Sequence, residues 1–273
     1  GATSHLCGRG RNQVGFFRGV CWCDRLILLA NMCVRLRMKR GVVVVFMVLM
    51  SSLENAQAAN SQPSVVVQQV DGKPVIDGVL NEEEWIRAKK IRNFGQVEPR
   101  EWKEASEQTE VSLMRTDEAL YLGVRCFDRR PAKVLARDRR RDSTGSGDDR
   151  LRIVIDPFAR GTEGYFFGIA AGGSRGDGVV RSGNRPEMEW DCIWDARTRV
   201  TAEGWVAEIE IPFRSIAFEP NQKSWGFNVE RVIRRKEEKL RWASPTRKKS
   251  LYALEGAGRI STDHWDRHWQ SHR

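Results

Sequence analysis

Histidine is missing from where chemistry would need it. The chain has four, His5, His264, His268 and His272, all outside the long middle of the sequence. That excludes from the body a Ser–His–Asp triad, a zinc deaminase site and an HExxH protease helix, each of which requires imidazole. His264 and His268 stand four apart near Asp263 and Asp266, but the stretch does not spell HExxH. Cysteine is also sparse: Cys7, Cys21, Cys23 and Cys33 precede residue 38, and only Cys126 and Cys192 follow. Cys21 and Cys23 are one residue apart and lack a suitably spaced second pair, which speaks against a zinc knuckle. An oxidising compartment would permit one bridge between Cys126 and Cys192, though both sit in strand-like runs and serve equally as small core residues. Long apolar runs are lacking. The run Val42–Met50 has nine residues, about 14 Å as a helix and far short of a bilayer. No GxxxxGK[ST] loop occurs, and the glycines of GIAAGGSRGDG lack the strand–loop–helix setting of a dinucleotide site.

What is present begins with charge and a leader. Forty-six Lys+Arg against 36 Asp+Glu leave +10, interspersed through most of the chain, which favours acidic surfaces without specifying one. The runs Arg139–Arg141, Arg234–Lys236 and Arg247–Lys249 read as solvated edges and turns, so no nucleic-acid partner is expected. In MKRGVVVVFMVLMSSLENAQA, residues 38–58, a basic start, an apolar centre and Ala56-Gln57-Ala58 have the layout of a secretory signal peptide cleaved after Ala58. The product is therefore expected to be exported, whether periplasmic, outer-membrane associated or secreted. Residues 1–37 read as an upstream segment outside the mature product, 59–70 as a linker, 71–260 as one domain and 261–273 as an irregular tail.

The domain reads as strands. GWVAEIEIPF, residues 204–213, places Trp205, Ala207, Ile209 and Ile211 on one side and Val206, Glu208 and Glu210 on the other, the period of a half-buried strand. TEVSLMRT, LYLGVRCF, LRIVID, YFFGIAA, WDCIWDARTRV and WGFNVERVI read the same way, Gly172–Gly183 reads as a turn region, and EKLRWASP as an edge strand ending at Pro245. In KPVIDGVLNEEEW, Asn81 and Glu84 form a variant capping box, and Trp85 plugs one end of a sheet. PFRSI opens one helical turn after its proline. The expected fold is all-β, a jelly-roll-like β-sandwich with one or two short helices.

Candidate binding residues are aromatic and acidic. Trp190 and Trp194, four apart, would share one face of a strand, and Trp102 in the loop EPREWKEAS has no periodic reason to be buried. Flat indoles stack on the C–H faces of sugar rings, with neighbouring polar groups such as Asp191 and Arg125 bonding to hydroxyls. RRDSTGSGDDR offers Asp142, Asp148 and Asp149 in an oxygen-rich loop, and Asp156 and Asp177 are further carboxylates; calcium would take such ligands, unless the neighbouring arginines pair with them in a solvated loop. Paired carboxylates could also hydrolyse a glycoside, but no pair stands out.

IDGVLNEEEW (76–85), the TEV…ALYLGVRCFD run (109–128), the acids before LRIVIDPF (148–158), WDCIWDARTRVTAEGWVAEIEIPFRSIAF (190–218) and SWGFNVERVIRRKEE (224–238) together resemble carbohydrate-binding module family 9. The resemblance is greater to the version at the front of bacterial outer-membrane proteins whose remainder is a β-barrel. It implies a secreted, non-catalytic, jelly-roll sandwich with structural calcium, binding a polysaccharide or oligosaccharide such as xylan. It also implies an outer-membrane β-barrel as partner in full-length relatives. Founding members, attached to xylanases, grip sugar chain ends between two tryptophans; Trp190 or Trp194 would supply one wall and Trp102 the other. The tail STDHWDRHWQSHR departs from those relatives, as expected of a shortened reading frame. The rival expectation is a structural or docking domain of an envelope protein that binds no sugar.

Overall fold

Where the sequence alternates, long strands form. In the computed structural model, which describes residues 62–140, 143, 145–219, 222–263 and 265, fourteen strands follow in order. They are β1 (Ser64–Val66), β2 (Gln68–Gln69), β3 (Lys90–Ile91), β4 (Gly95–Glu98), β5 (Thr109–Arg115), β6 (Ala119–Phe127), β7 (Arg150–Asp156), β8 (Glu163–Ala170), β9 (Arg175–Arg181), β10 (Asp195–Thr201), β11 (Gly204–Pro212), β12 (Ser224–Ile233), β13 (Glu238–Arg241) and β14 (Gly258–Ser261). One short helix, α1 (Glu83–Arg87), precedes β3. The upstream segment, the signal peptide and nine of the thirteen tail residues lie outside the described residues.

Two sheets face each other. The larger runs β1-β14-β12-β7-β8-β9, with β13 beside the second half of β12 and β4 beyond it; the smaller runs β10-β11-β6-β5-β2, with β3 also on β5. Antiparallel register stacks like with like: Trp205, Ala207, Ile209 and Ile211 of β11 lie opposite Cys126, Val124, Leu122 and Leu120 of β6. Ile153 and Ile155 of β7 face Val229 and Phe227 of β12. These side chains form the inter-sheet core, in which each Val, Leu, Ile or Phe is worth about 1.5–3 kcal/mol on burial. The thiol of Cys126 is buried there, its pKa pushed up to about 11 by desolvation, and it is not bridged to Cys192.

Both outer faces are covered. IDGVLNEEEW lies over the smaller sheet, where Leu80 and Trp85 press so closely on β6 that a Cβ on Gly123 would stand 2.7 Å from each. Glu208 of β11 anchors this segment, accepting the N–H groups of Asp77 (2.9 Å) and Gly78 (2.6 Å) and the indole N–H of Trp85 (3.0 Å). Trp85 thus covers a face and does not plug an end. The helix begins one residue later than a capping box at Asn81 requires, with Glu82 at its N-cap and no side-chain cap; the Glu82 carboxylate accepts the N–H of Val75 instead. On the larger sheet, Leu251 and Leu254 cover Val154, Phe166 and Val180.

Four further expectations are corrected. The supposed linker contains β1 and β2, and its Val67 is part of the core. Much of the supposed turn region is β9, in which Gly178 lets the carbonyl of Glu187 approach to 2.8 Å of where a Cβ would be. EKLR is no edge, because β13 pairs with both β12 and β4. The domain does not stop at 260: Arg115 donates to Thr262 (2.9 Å), and Trp265 is buried against Trp225.

Candidate functional site

The β9–β10 connection carries two of the three candidate tryptophans and separates their fates. Asp177 of β9 accepts the backbone N–H of Cys192 and the indole N–H of Trp194, each at 2.9 Å. Trp194 is thereby pulled inward, edge-on to Phe167 at 5.2 Å with the Arg175 guanidinium 5.6 Å from its ring, and it is 5 % exposed. It is a core residue. Because β10 starts at Asp195, Trp190 and Trp194 lie in a loop, and their spacing does not put them on one strand face. Trp190 remains half-buried, tilted against Tyr165 with ring centroids 4.9 Å apart. Asp191, Met188 and Ile193 around it are exposed.

Trp102 is 66 % exposed. It projects from a hairpin-like excursion beyond β4, closed by Gln96 N–H to Lys103 (2.7 Å) and Trp102 N–H to Gln96 (2.9 Å). Its φ of 64° is a left-handed conformation that a bulky side chain adopts only at a cost, of order 1–3 kcal/mol. Arg247 holds the excursion, donating to the carbonyls of Val97 (3.3 Å) and Pro99 (2.9 Å), while its backbone N–H reaches Glu101 (2.5 Å). That N–H draws the Glu101 pKa below the ordinary carboxylate value. Residues of the same excursion, though not Trp102 itself, line a cleft of about 500 Å³ together with Lys236 and Glu238; among them are Gln96, Arg100, Lys103 and Glu104. The Oε1 of Gln96 is buried and has no partner among the described residues. The result is an exposed apolar ring on a held backbone, with polar side chains on its chain neighbours.

The structure does not bring the other expected residues to this ring. Trp190 lies by β8 and β9, four strands from β4 across the larger sheet, roughly 20 Å by ordinary strand spacing, too far to face Trp102 across one sugar ring. Arg125 points to the outer face of the smaller sheet and donates to the Leu80 carbonyl at 2.6 Å. The described aspartates do not fit a shared calcium, which needs six to eight converging oxygens. Asp148 accepts the N–H groups of Arg137 and Asp138, Asp156 those of Phe158 and Gly161, and Asp177 is spent on Cys192 and Trp194. Asp149 and Asp156, at either end of β7, stand roughly 23 Å apart by strand rise. No cluster of three metal-ligating side chains occurs among the described residues; Asp142 lies outside them.

Next to the cleft is a network of paired charges. Asp128 takes both ends of the Arg235 fork (2.6 and 2.8 Å), and Glu107 is bonded by Lys236 and by the Arg129 N–H. Burial alone would raise the pKa values of Asp128 and Glu107, but these donors hold both below the ordinary carboxylate range. Asp149 behaves oppositely. Its Oδ1 accepts the N–H of Arg234 at 2.8 Å, its buried Oδ2 has no partner among the described residues, and burial pushes its pKa up against the pull of Arg234, Arg231 and Arg235. The sign follows from linkage: a raised carboxyl pKa supplies stability present at low pH and lost as pH rises through the folded value. Asp149→Asn is therefore expected to gain on the native chain as pH goes from about 4 to 7, measured by denaturant midpoints. A constant or shrinking difference would show that Asp149 is not held neutral by its surroundings.

Sequence reasoning missed Gln96, Arg247 and the charged flank of Trp102. EPREWKE does carry a signal in its alternating acids and bases around one indole; the Arg247 clamp is 145 residues further on and carries none. No protein-family model matches the chain. No curated protein matches it either. Among solved structures it is similar to a Bacteroides uniformis ATCC 8492 protein provisionally described as carbohydrate-binding, at 11 % identity and a TM-score of 0.58, over 74 % of this chain and 100 % of that one. It is similar as well to a family 9 carbohydrate-binding module from Caldicellulosiruptor kristjanssonii. The complex with cellotriose gives 17 % identity, TM-score 0.49, and 73 % and 93 % coverage of this chain and that one. The glucose complex gives 17 %, 0.48, and 75 % and 97 %. The first of these likenesses shows the fold, a two-sheet β-sandwich.

Proposed function

We propose that the sandwich is a non-catalytic saccharide-binding module and that Trp102 is its sugar platform. The observation that carries this reading is an indole two-thirds exposed, at a strained φ in an excursion clamped by Arg247, whose neighbouring residues line a polar cleft. Strain kept in a well-anchored loop points to function, and an apolar plate rimmed by a few polar groups suits a pyranose. The sandwich fold shared with the Bacteroides uniformis protein is compatible with that role. Export through residues 38–58, which would bring the module to polysaccharide outside the cytoplasm, belongs to the same proposal, as does the β-barrel partner of longer relatives.

Calorimetric titration with xylan fragments, cello-oligosaccharides and simple sugars tests it. Trp102→Ala is expected to weaken binding by about 30-fold, the scale of losing one tryptophan anchor, with the melting temperature unchanged. Trp102→Gly should lose affinity equally and not lose stability, since glycine accepts positive φ freely. A drop in melting temperature without a change in affinity would instead make Trp102 a structural residue. The exposed apolar Met188 and Ile193 beside Trp190 favour a second reading, docking to an envelope partner; a folded sample silent toward every saccharide would replace the first with it.

A further inference from the structure

A second cleft, of about 610 Å³, opens between the β8–β9 turn and the exposed edge strand β10. Three arginines line it, Arg139, Arg175 and Arg197, together with Gly172 and Gly173. No aspartate, glutamate or aromatic residue is among its lining side chains. Arg175 and Arg197 share one carboxylate, Asp195, each through Nη1 at 2.7 Å, and both also give Nη1 to the Ala196 carbonyl. These hydrogen bonds of both arginines leave from that one nitrogen, so each fork keeps donors beyond the ones Asp195 and Ala196 use. Arg139 has no side-chain partner among the described residues, and the nearby Asp138 is taken by Arg140 and Ser143. Three cations against one shared anion leave the cleft with an unanswered charge of about +2. Guanidinium forks of this kind match planar or tetrahedral oxyanions two donors at a time. The two lining glycines, having no side chain, let a ligand come close to backbone.

We infer that this cleft binds the carboxylate or sulfate substituents of an acidic polysaccharide. The inference rests on the saccharide reading for the class of polymer and uses a site separate from Trp102. The size suits one or two sugar units. Beyond residue 58 the chain keeps 38 Lys+Arg against 34 Asp+Glu, a net +4 that draws a polyanion toward it, while the lack of an aromatic lining withholds the stacking surface a nucleic-acid strand would use.

The test uses the full chain and titrates de-esterified polygalacturonate, a sulfated galactan, free galacturonate, inorganic sulfate, single-stranded DNA and a neutral cello-oligosaccharide. Polygalacturonate or the sulfated polymer is expected to bind, and to weaken as ionic strength rises from about 0.02 to 0.2 M. Arg139→Gln with Arg197→Gln should weaken it about tenfold, whereas Arg87→Gln with Lys89→Gln, exposed and of equal charge change, should alter it less than about twofold. Free galacturonate and sulfate, read against the polymers, tell which oxyanion is preferred. Equal losses in both double variants, absence of polyanion binding at low salt, or DNA binding more tightly than either polymer would each overturn the inference. Neutral-sugar binding that survives such a failure leaves the Trp102 reading standing; acidic-polymer binding without neutral binding leaves only the arginine cleft.

Discussion

Trp194→Ala is expected to destabilise the domain by about 3–5 kcal/mol, the range for deleting a large aromatic from a packed core. Three contacts go together. The edge-on pairing with Phe167 disappears, the Arg175 guanidinium loses the ring beneath it, and Asp177, 5 % exposed, loses the indole donor that satisfies Oδ1. A buried carboxylate stripped of a donor adds its own penalty of about 1–3 kcal/mol, only partly offset by water entering the space. Because Asp177 also holds the Cys192 N–H, the loop carrying Trp190 should loosen in the same variant. Denaturant unfolding measures the loss, and Trp194→Phe should recover part of it. If Trp194→Ala kept its unfolding midpoint and lost saccharide binding, Trp194 would be a wall of the site and the placement of the site at Trp102 would fall.

What was legible in the sequence was what periodicity encodes. β5, β6, β7, β8, β11 and β12 alternate cleanly because one face of each packs against the opposite sheet, and alternation is the imprint of that burial. The short strands β1 to β4 leave no imprint. They exist because long strands offer edges to pair with, a property of the partner and not of their own residues. β9, RGDGVVR, reads as a turn because of its glycines, yet Gly178 is there to let the Glu187 carbonyl approach. The exposure of Trp102 was legible from its lack of period. The burial of Trp194 was not, since nothing local marks Asp177 as its acceptor seventeen residues earlier. The role of the aspartates was not legible for a chemical reason: carboxylates that staple backbone N–H groups in loops occupy the same Gly- and Ser-rich settings as carboxylates that bind calcium.

Trp265→Ala should cost about as much, 3–5 kcal/mol, although it lies in a stretch that has no periodicity. Its ring stacks on Trp225 with centroids 3.8 Å apart and planes 15° from parallel, and Phe213 meets it edge-on at 6.1 Å. Trp225 in turn contacts Phe213 and Phe218, so removing Trp265 opens the end of an aromatic cluster. The indole N–H groups of Trp225 and Trp265 are buried without an acceptor among the described residues. Ring area, not hydrogen bonding, therefore holds the pair. That distinction sets the control: Trp265→Phe keeps a ring in the stack, removes an unsatisfied donor and should cost no more than about 1.5 kcal/mol. For a domain of this size the alanine variant should melt roughly 10 °C lower. The same logic applies to a chain ending at residue 260, which would lose Trp265 and also Thr262, the acceptor for the fully buried Arg115. Trp265→Ala with an unchanged melting temperature would show that the sandwich is complete without this segment.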